Sequence, residues 1–124
     1  MSMGRILLIE DDDMVRSSLA KILILMGHTV VEARDGKEGL ALFAESGADL
    51  VITDLVMPEK EGLEVMMELK KTHPNTKVIA ISGGGRRAPG DILKIARHLG
   101  AARVLAKPFL LEVFKAAVTE VLES

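Results

Sequence analysis

Cysteine is missing from all 124 residues, which excludes disulfides, thiolate metal sites and thiol nucleophiles. Long apolar runs are missing too. Hydrophobic residues make up 48% of the chain, but they fall in short runs, far below the ~20 residues that a membrane span requires. Nothing near Met1-Ser2-Met3 has the form of a secretion signal, and these three residues read as an extension ahead of the first strand. An excess of one charge is also absent. Lys and Arg number 16 against 18 Asp and Glu, a formal charge of −2, so no direct nucleic-acid-binding face is expected. The expectation is a cytoplasmic protein without membrane insertion, forming a single domain over residues 1–124.

What the chain does contain is a five-fold alternation of strand-like and helix-like patterns. Arg5-Ile6-Leu7-Leu8-Ile9, Thr29 to Ala33, Val51 to Asp54, Lys77 to Ser82 and Arg103 to Ala106 read as strands. Between them, Val15, Leu19, Ile22, Leu23 and Met26 recur at helical spacing and Gly27 closes that helix. Leu40, Phe43 and Ala44 mark a second helix between the Asp35-Gly36 turn and Gly47. Gly62 opens a third, with Leu63, Met66 and Leu69 inward and His73-Pro74 as the stop. Gly83 to Gly90 reads as a loop, and Asp91 as the cap of a helix through Leu99. Phe114, Ala117, Val118, Val121 and Leu122 form the last amphipathic face. Strand-helix units of this length imply right-handed crossovers and a three-layer α/β domain with a parallel sheet.

Three strands run into charge. The first leads to Glu10-Asp11-Asp12-Asp13, the third ends on Asp54 and the fifth on Lys107-Pro108. In an open parallel sheet these ends share the carboxyl edge, where such folds carry their chemistry. Each of Glu10, Asp11 and Asp54 alone is an ordinary loop acid. Together they repel one another unless a cation sits among them. The donors are hard oxygens, which suit Mg²⁺ better than zinc or copper. Lys107 can neutralise an incoming phosphoryl group, and Ser82 offers a hydroxyl from the end of the fourth strand. These are parts for phosphoryl transfer to a carboxylate. Asp12 and Asp13 suit the positive end of the first helix. His28, His73 and His98 fall at helix ends, where a cation is favoured, and the methionines at helical spacing read as core filler.

The acidic pair Glu10-Asp11, the run Asp54-Leu55-Val56-Met57-Pro58, Ser82-Gly83 and Lys107-Pro108-Phe109 stand in the order found in receiver domains of two-component response regulators, of the chemotaxis type. The chain resembles that family from Arg5 to the end of the last helix. The resemblance implies a flavodoxin-like (βα)5 fold with sheet order 2-1-3-4-5. It implies a Mg²⁺-dependent phosphoryl transfer to Asp54 from a histidine kinase or histidine phosphotransfer protein, and no other enzymatic activity. Asp11, Asp54 and the Val56 backbone carbonyl are then the metal ligands, with Glu10 direct or through water. Ser82 and Lys107 take phosphoryl oxygens, and Lys107-Pro108 is a candidate cis bond. The hydroxyl and the lysine are expected to matter chiefly once phosphoryl charge has arrived.

Rival readings fit less well. A haloacid-dehalogenase-type phosphatase needs a second aspartate where Val56 stands, and a flavodoxin needs a phosphate loop where four acids follow the first strand. A pseudo-receiver that only binds protein predicts a damaged site. A receiver excised from a longer response regulator or hybrid kinase remains an alternative to a stand-alone module. Two positions depart from the family pattern. Val104 stands where an aromatic or histidine ring is common, and Leu110 where a polar helix cap is usual. Reordering from Gly83 onward, with a surface of Val104, Leu110 and Val113 on the fourth helix–fifth strand–fifth helix face, is therefore the expected route to a downstream protein or to self-association.

Overall fold

The computed structural model describes residues 4–55, 61–82 and 89–124, with the backbone alone at 61 and 89–93. Five strands alternate with five helices: β1 (Arg5–Ile9), α1 (Asp13–Leu25), β2 (Thr29–Ala33), α2 (Gly36–Ser46), β3 (Leu50–Asp54), α3 (Glu61–Thr72), β4 (Val78–Ser82), α4 (Pro89–His98), β5 (Arg103–Ala106) and α5 (Leu111–Glu123). All pairings are parallel, in the order β2-β1-β3-β4-β5. The three central strands have helices over both faces, so their sequences are apolar almost throughout; β3 and β4 are buried at every position.

The period-two alternation of these strands divides the interior into two cores. Ile6, Leu8, Leu50, Ile52, Ile79 and Ile81 point to the side covered by α1 and α5, where Leu23, Phe114 and Val118 meet them. Leu7, Ile9, Val51, Val78 and Ala80 point to the other side, against Phe43, Val65, Met66 and Ala96 of α2, α3 and α4. Side-chain caps set the chain entering α1 and α2. The Asp12 side chain accepts from the Met14 and Val15 amides, and that of Asp35 from the Glu38 amide. Gly27, Gly47 and Gly100 follow helices with positive φ, the conformation that ends them at least cost.

Several sequence expectations need correction. The fourth helix begins at Pro89, so Asp91 lies inside it rather than capping it; the fixed φ of proline suits a first helical position. The rest of the expected glycine-rich loop, including Gly83, lies outside the described residues. Met66 is core, but Met14 and Met67 are exposed. His28 is no helix-end cation: it is buried, and its Nδ1 accepts a hydrogen bond from the Gly4 amide at 3.1 Å. Burial lowers its pKa below the ordinary value.

Candidate functional site

Register brings the functional side chains to one edge. Ile9 stands beside Thr53, Asp54 beside Ile81, and Ser82 beside Ala106. The next residues out are Glu10 and Lys107, fixed by Glu10 N–H to Ala33 O (3.1 Å) and Lys107 N–H to Ser82 O (2.8 Å). Glu10 and Asp54 are only 2% and 4% exposed, a rare condition for carboxylates unless they are paired. The pairing group is Lys107. Its Nζ donates to Glu10 Oε1 at 2.8 Å and to Asp54 Oδ2 at 3.1 Å. The other Glu10 oxygen accepts from the Asp12 amide at 3.2 Å.

Asp11 completes a set in which one oxygen each from Glu10, Asp11 and Asp54 lies within 4.8 Å of the others. Although Asp11 reaches solvent, burial, its hydrogen bond with Glu10 and the Glu10 charge raise its carboxyl above the ordinary value. Lys107 shifts the other way from what burial alone dictates. Desolvation pulls its pKa down, but the Glu10 hydrogen bond and the Asp54 charge outweigh it and hold the ammonium above normal. One ammonium against three carboxylates still leaves excess negative charge, which a hard, oxygen-seeking divalent cation matches. Ser82 is buried in the same edge, and its Oγ has no hydrogen-bond partner among the described residues. A buried hydroxyl in that condition is an invitation to a polar guest.

The peptide between Lys107 and Pro108 is cis. The family model for the response regulator receiver domain matches residues 6–119. The chain belongs to that family.

As a receiver, it is 35% identical over 121 residues to a probable chemotaxis protein CheY of Rhizobium etli, covering 94% of this chain and 91% of that protein. It is 41% identical over 120 residues to the sensor kinase CckA of Brucella abortus. There the shared stretch is 95% of this chain but 12% of the kinase, and with the transcriptional regulatory protein CpxR of Klebsiella pneumoniae it is 44% of the relative. A receiver domain protein from Clostridium thermocellum superposes with a TM-score of 0.88 at 30% identity, over 97% of this chain and 94% of that one. The receiver fold and a place in two-component signalling follow directly.

Four expected site residues, Glu10, Asp11, Asp54 and Lys107, meet at one point, and Ser82 lies on the adjoining strand end. Val56, whose backbone carbonyl is an expected metal ligand, and Gly83 lie outside the described residues. Lys107 departs from expectation in its timing: it is engaged by two carboxylates before any phosphoryl group arrives. Val104 also departs. It is half-buried and packs against the α2–α3–α4 core, so it belongs to no exposed patch. Leu110, by contrast, caps α5 without a side-chain hydrogen bond and is 73% exposed, with Leu111 and Val113 beside it at 48% and 41%.

Two further residues shape the site without a motif to announce them. Arg16 reaches back to the Glu10 carbonyl, a contact that needs α1 folded to exist. Gly62 packs against the Asp54 backbone, and a glycine in the first turn of a helix was its only signal in the sequence.

Proposed function

We propose that Asp54 is the phosphoacceptor of a Mg²⁺-dependent transfer from a histidine kinase or histidine phosphotransfer protein. The observation that carries this reading is the pairing of buried Asp54 with Lys107 inside a cluster of three carboxylates. An Asp54 oxygen attacks phosphorus, the P–N bond to the donor imidazole breaks, and an acyl phosphate forms. Asp11 and Asp54, with Glu10 direct or through water and the Val56 carbonyl by resemblance, are the proposed ligands of Mg²⁺. Bound there, the ion offsets the charge gathered around the transferred group. Lys107 stays within reach of the same oxygens and neutralises part of that charge. The Ser82 hydroxyl, which has no hydrogen-bond partner among the described residues, donates to a phosphoryl oxygen.

The proposed unit is a phosphoacceptor with no turnover chemistry beyond its own phosphorylation and dephosphorylation. One receiver domain spans the 124 residues, as a stand-alone protein or as a module of a longer one, acting in the cytoplasm. The output surface we propose is the exposed start of α5, Leu110 and Val113, which binds a downstream protein or a second copy once the segment from Gly83 reorders. Burying an exposed side chain of this kind contributes about 1.5–3 kcal/mol, less for Val113, which is already more than half buried, and the pair suits a transient interface.

Asp54→Asn keeps the shape and removes the nucleophile. Wild type is expected to gain one phosphoryl group by mass spectrometry from acetyl phosphate with Mg²⁺ and none in EDTA. Label at this site in the variant, or in EDTA, refutes the assignment. Replacing Leu110 and Val113 with Asp is expected to leave phosphorylation intact and to abolish phosphorylation-dependent association in sedimentation. Unchanged association removes this face from the output step.

A further inference from the structure

The acidic turn after β1 has an anchor that the chemistry above does not use. Arg16, in the second turn of α1, has a side chain only 13% exposed. Its Nη1 donates to the Glu10 backbone carbonyl at 2.9 Å. Its Nη2 donates to Asp13 Oδ1 at 2.6 Å, and its Nε lies 3.4 Å from Glu32 Oε1 on β2. One guanidinium thus joins the end of β1, the first turn of α1 and the neighbouring strand. A planar fork does this; a lysine cannot, because its ammonium is a single point on a flexible stem.

From this geometry we infer that Arg16 is a positioning residue for the metal site, holding the Glu10–Asp11 peptide so that both carboxylates face Asp54. Glu10 is gripped at both ends, its side chain by Lys107 and its carbonyl by Arg16. Asp11 sits at the solvent side and takes its direction from the peptide it shares with Glu10. The role rests on the proposed Mg²⁺ reading, and it runs against simple electrostatics. A nearby cation repels Mg²⁺, so deleting its charge alone tightens metal binding. Losing a positioning contact weakens it, by about 10-fold for residues that orient metal ligands.

Arg16→Lys and Arg16→Met in the full chain separate these effects. Mg²⁺ affinity is measured by calorimetry and by amide shifts of Glu10 to Asp12, with folding checked by circular dichroism. The expected result is about 10-fold weaker binding in both folded variants. Wild-type affinity in Arg16→Lys, or tighter binding in Arg16→Met, overturns the inference. Hydrogen exchange without metal tests the anchor separately, because the Asp12 amide is protected by Glu10 Oε2. Its exchange is expected to quicken at least 10-fold relative to the Leu8 and Ile9 amides in both variants, a local change that lower global stability does not produce. Equal change at all three overturns the inference. A wild type that binds no Mg²⁺ refutes the metal reading instead, and the exchange result still decides what Arg16 holds.

Discussion

Gly62→Ala tests whether the helix after β3 is seated directly on the nucleophile's backbone. Gly62 is buried in the first turn of α3 and lacks the positive φ seen at Gly27, Gly47 and Gly100, so conformation does not require glycine there. Space does. A Cβ built at this position lies 2.6 Å from Leu55 Cα and 2.9 Å from the Asp54 carbonyl carbon, with the Asp54 carbonyl oxygen closer still. Ordinary carbon contacts fall at about 3.5–4.0 Å, so the overlaps amount to roughly 1 Å against backbone. That backbone has little room to move, since the Leu55 amide donates to Ile81 O at 2.7 Å. Helix propensity alone makes alanine better than glycine by about 0.5–1 kcal/mol. Overpacking costs about 1–3 kcal/mol and is expected to win. A net loss of about 1–2 kcal/mol lowers the midpoint of thermal unfolding by about 4–8 °C in a domain of this size. Calorimetry reads this directly. The same shift displaces Asp54, and about 1 Å of misplacement costs up to about 100-fold in phosphorylation rate by acetyl phosphate. A midpoint that rises with the rate unchanged refutes the steric reasoning.

Lys107→Met leaves the buried Glu10 and Asp54 carboxylates facing each other, and is expected to cost up to about 3 kcal/mol without metal, the low end for a buried pair because the lysine side chain is 24% exposed. Mg²⁺ is expected to restore more stability to this variant than to wild type in urea unfolding; a metal-free variant as stable as wild type counts against the pairing. His28 has a folded pKa below its ordinary 6.5, so its contribution is complete above that value and is lost as pH falls through 6.5 toward the folded pKa. His28→Asn keeps an acceptor for the Gly4 amide and is expected to flatten the stability slope between about pH 7 and 5.5; an identical slope in both proteins assigns it to other groups.

The sheet and the heart of the site were legible because each rests on a local pattern. Ile6 to Ile9 and Val78 to Ile81 are apolar at every position because helices cover both faces, and a covered strand needs no partner to announce itself. Glu10 follows one buried central strand, Asp54 ends another and Lys107 follows the edge strand β5, so the parallel topology brought their ends together. What stayed hidden depends on approach between distant elements. The sequence of α1 does not reveal that Arg16 bends back to Glu10, nor that His28 receives the Gly4 amide. The half-burial of Val104 has the same origin, since it is set by a core contributed from elsewhere in the chain. Met14 and Met67 share the helical spacing of core residues and yet face outward. Spacing tells which residues share a face, not where that face points.

The position of Lys107 in the chain has a consequence for folding. The two carboxylates it pairs with stand before it, at positions 10 and 54, and the ammonium follows the second of them by 53 residues. A domain generally folds as a unit. With β1, β3 and β4 packed but β5 undocked, Glu10 and Asp54 lack their ammonium partner, and their mutual charge opposes closing that edge. The last strand supplies both the edge of the sheet and the ion that lets its centre close. Docking of β5 and assembly of the acidic pocket are therefore one event.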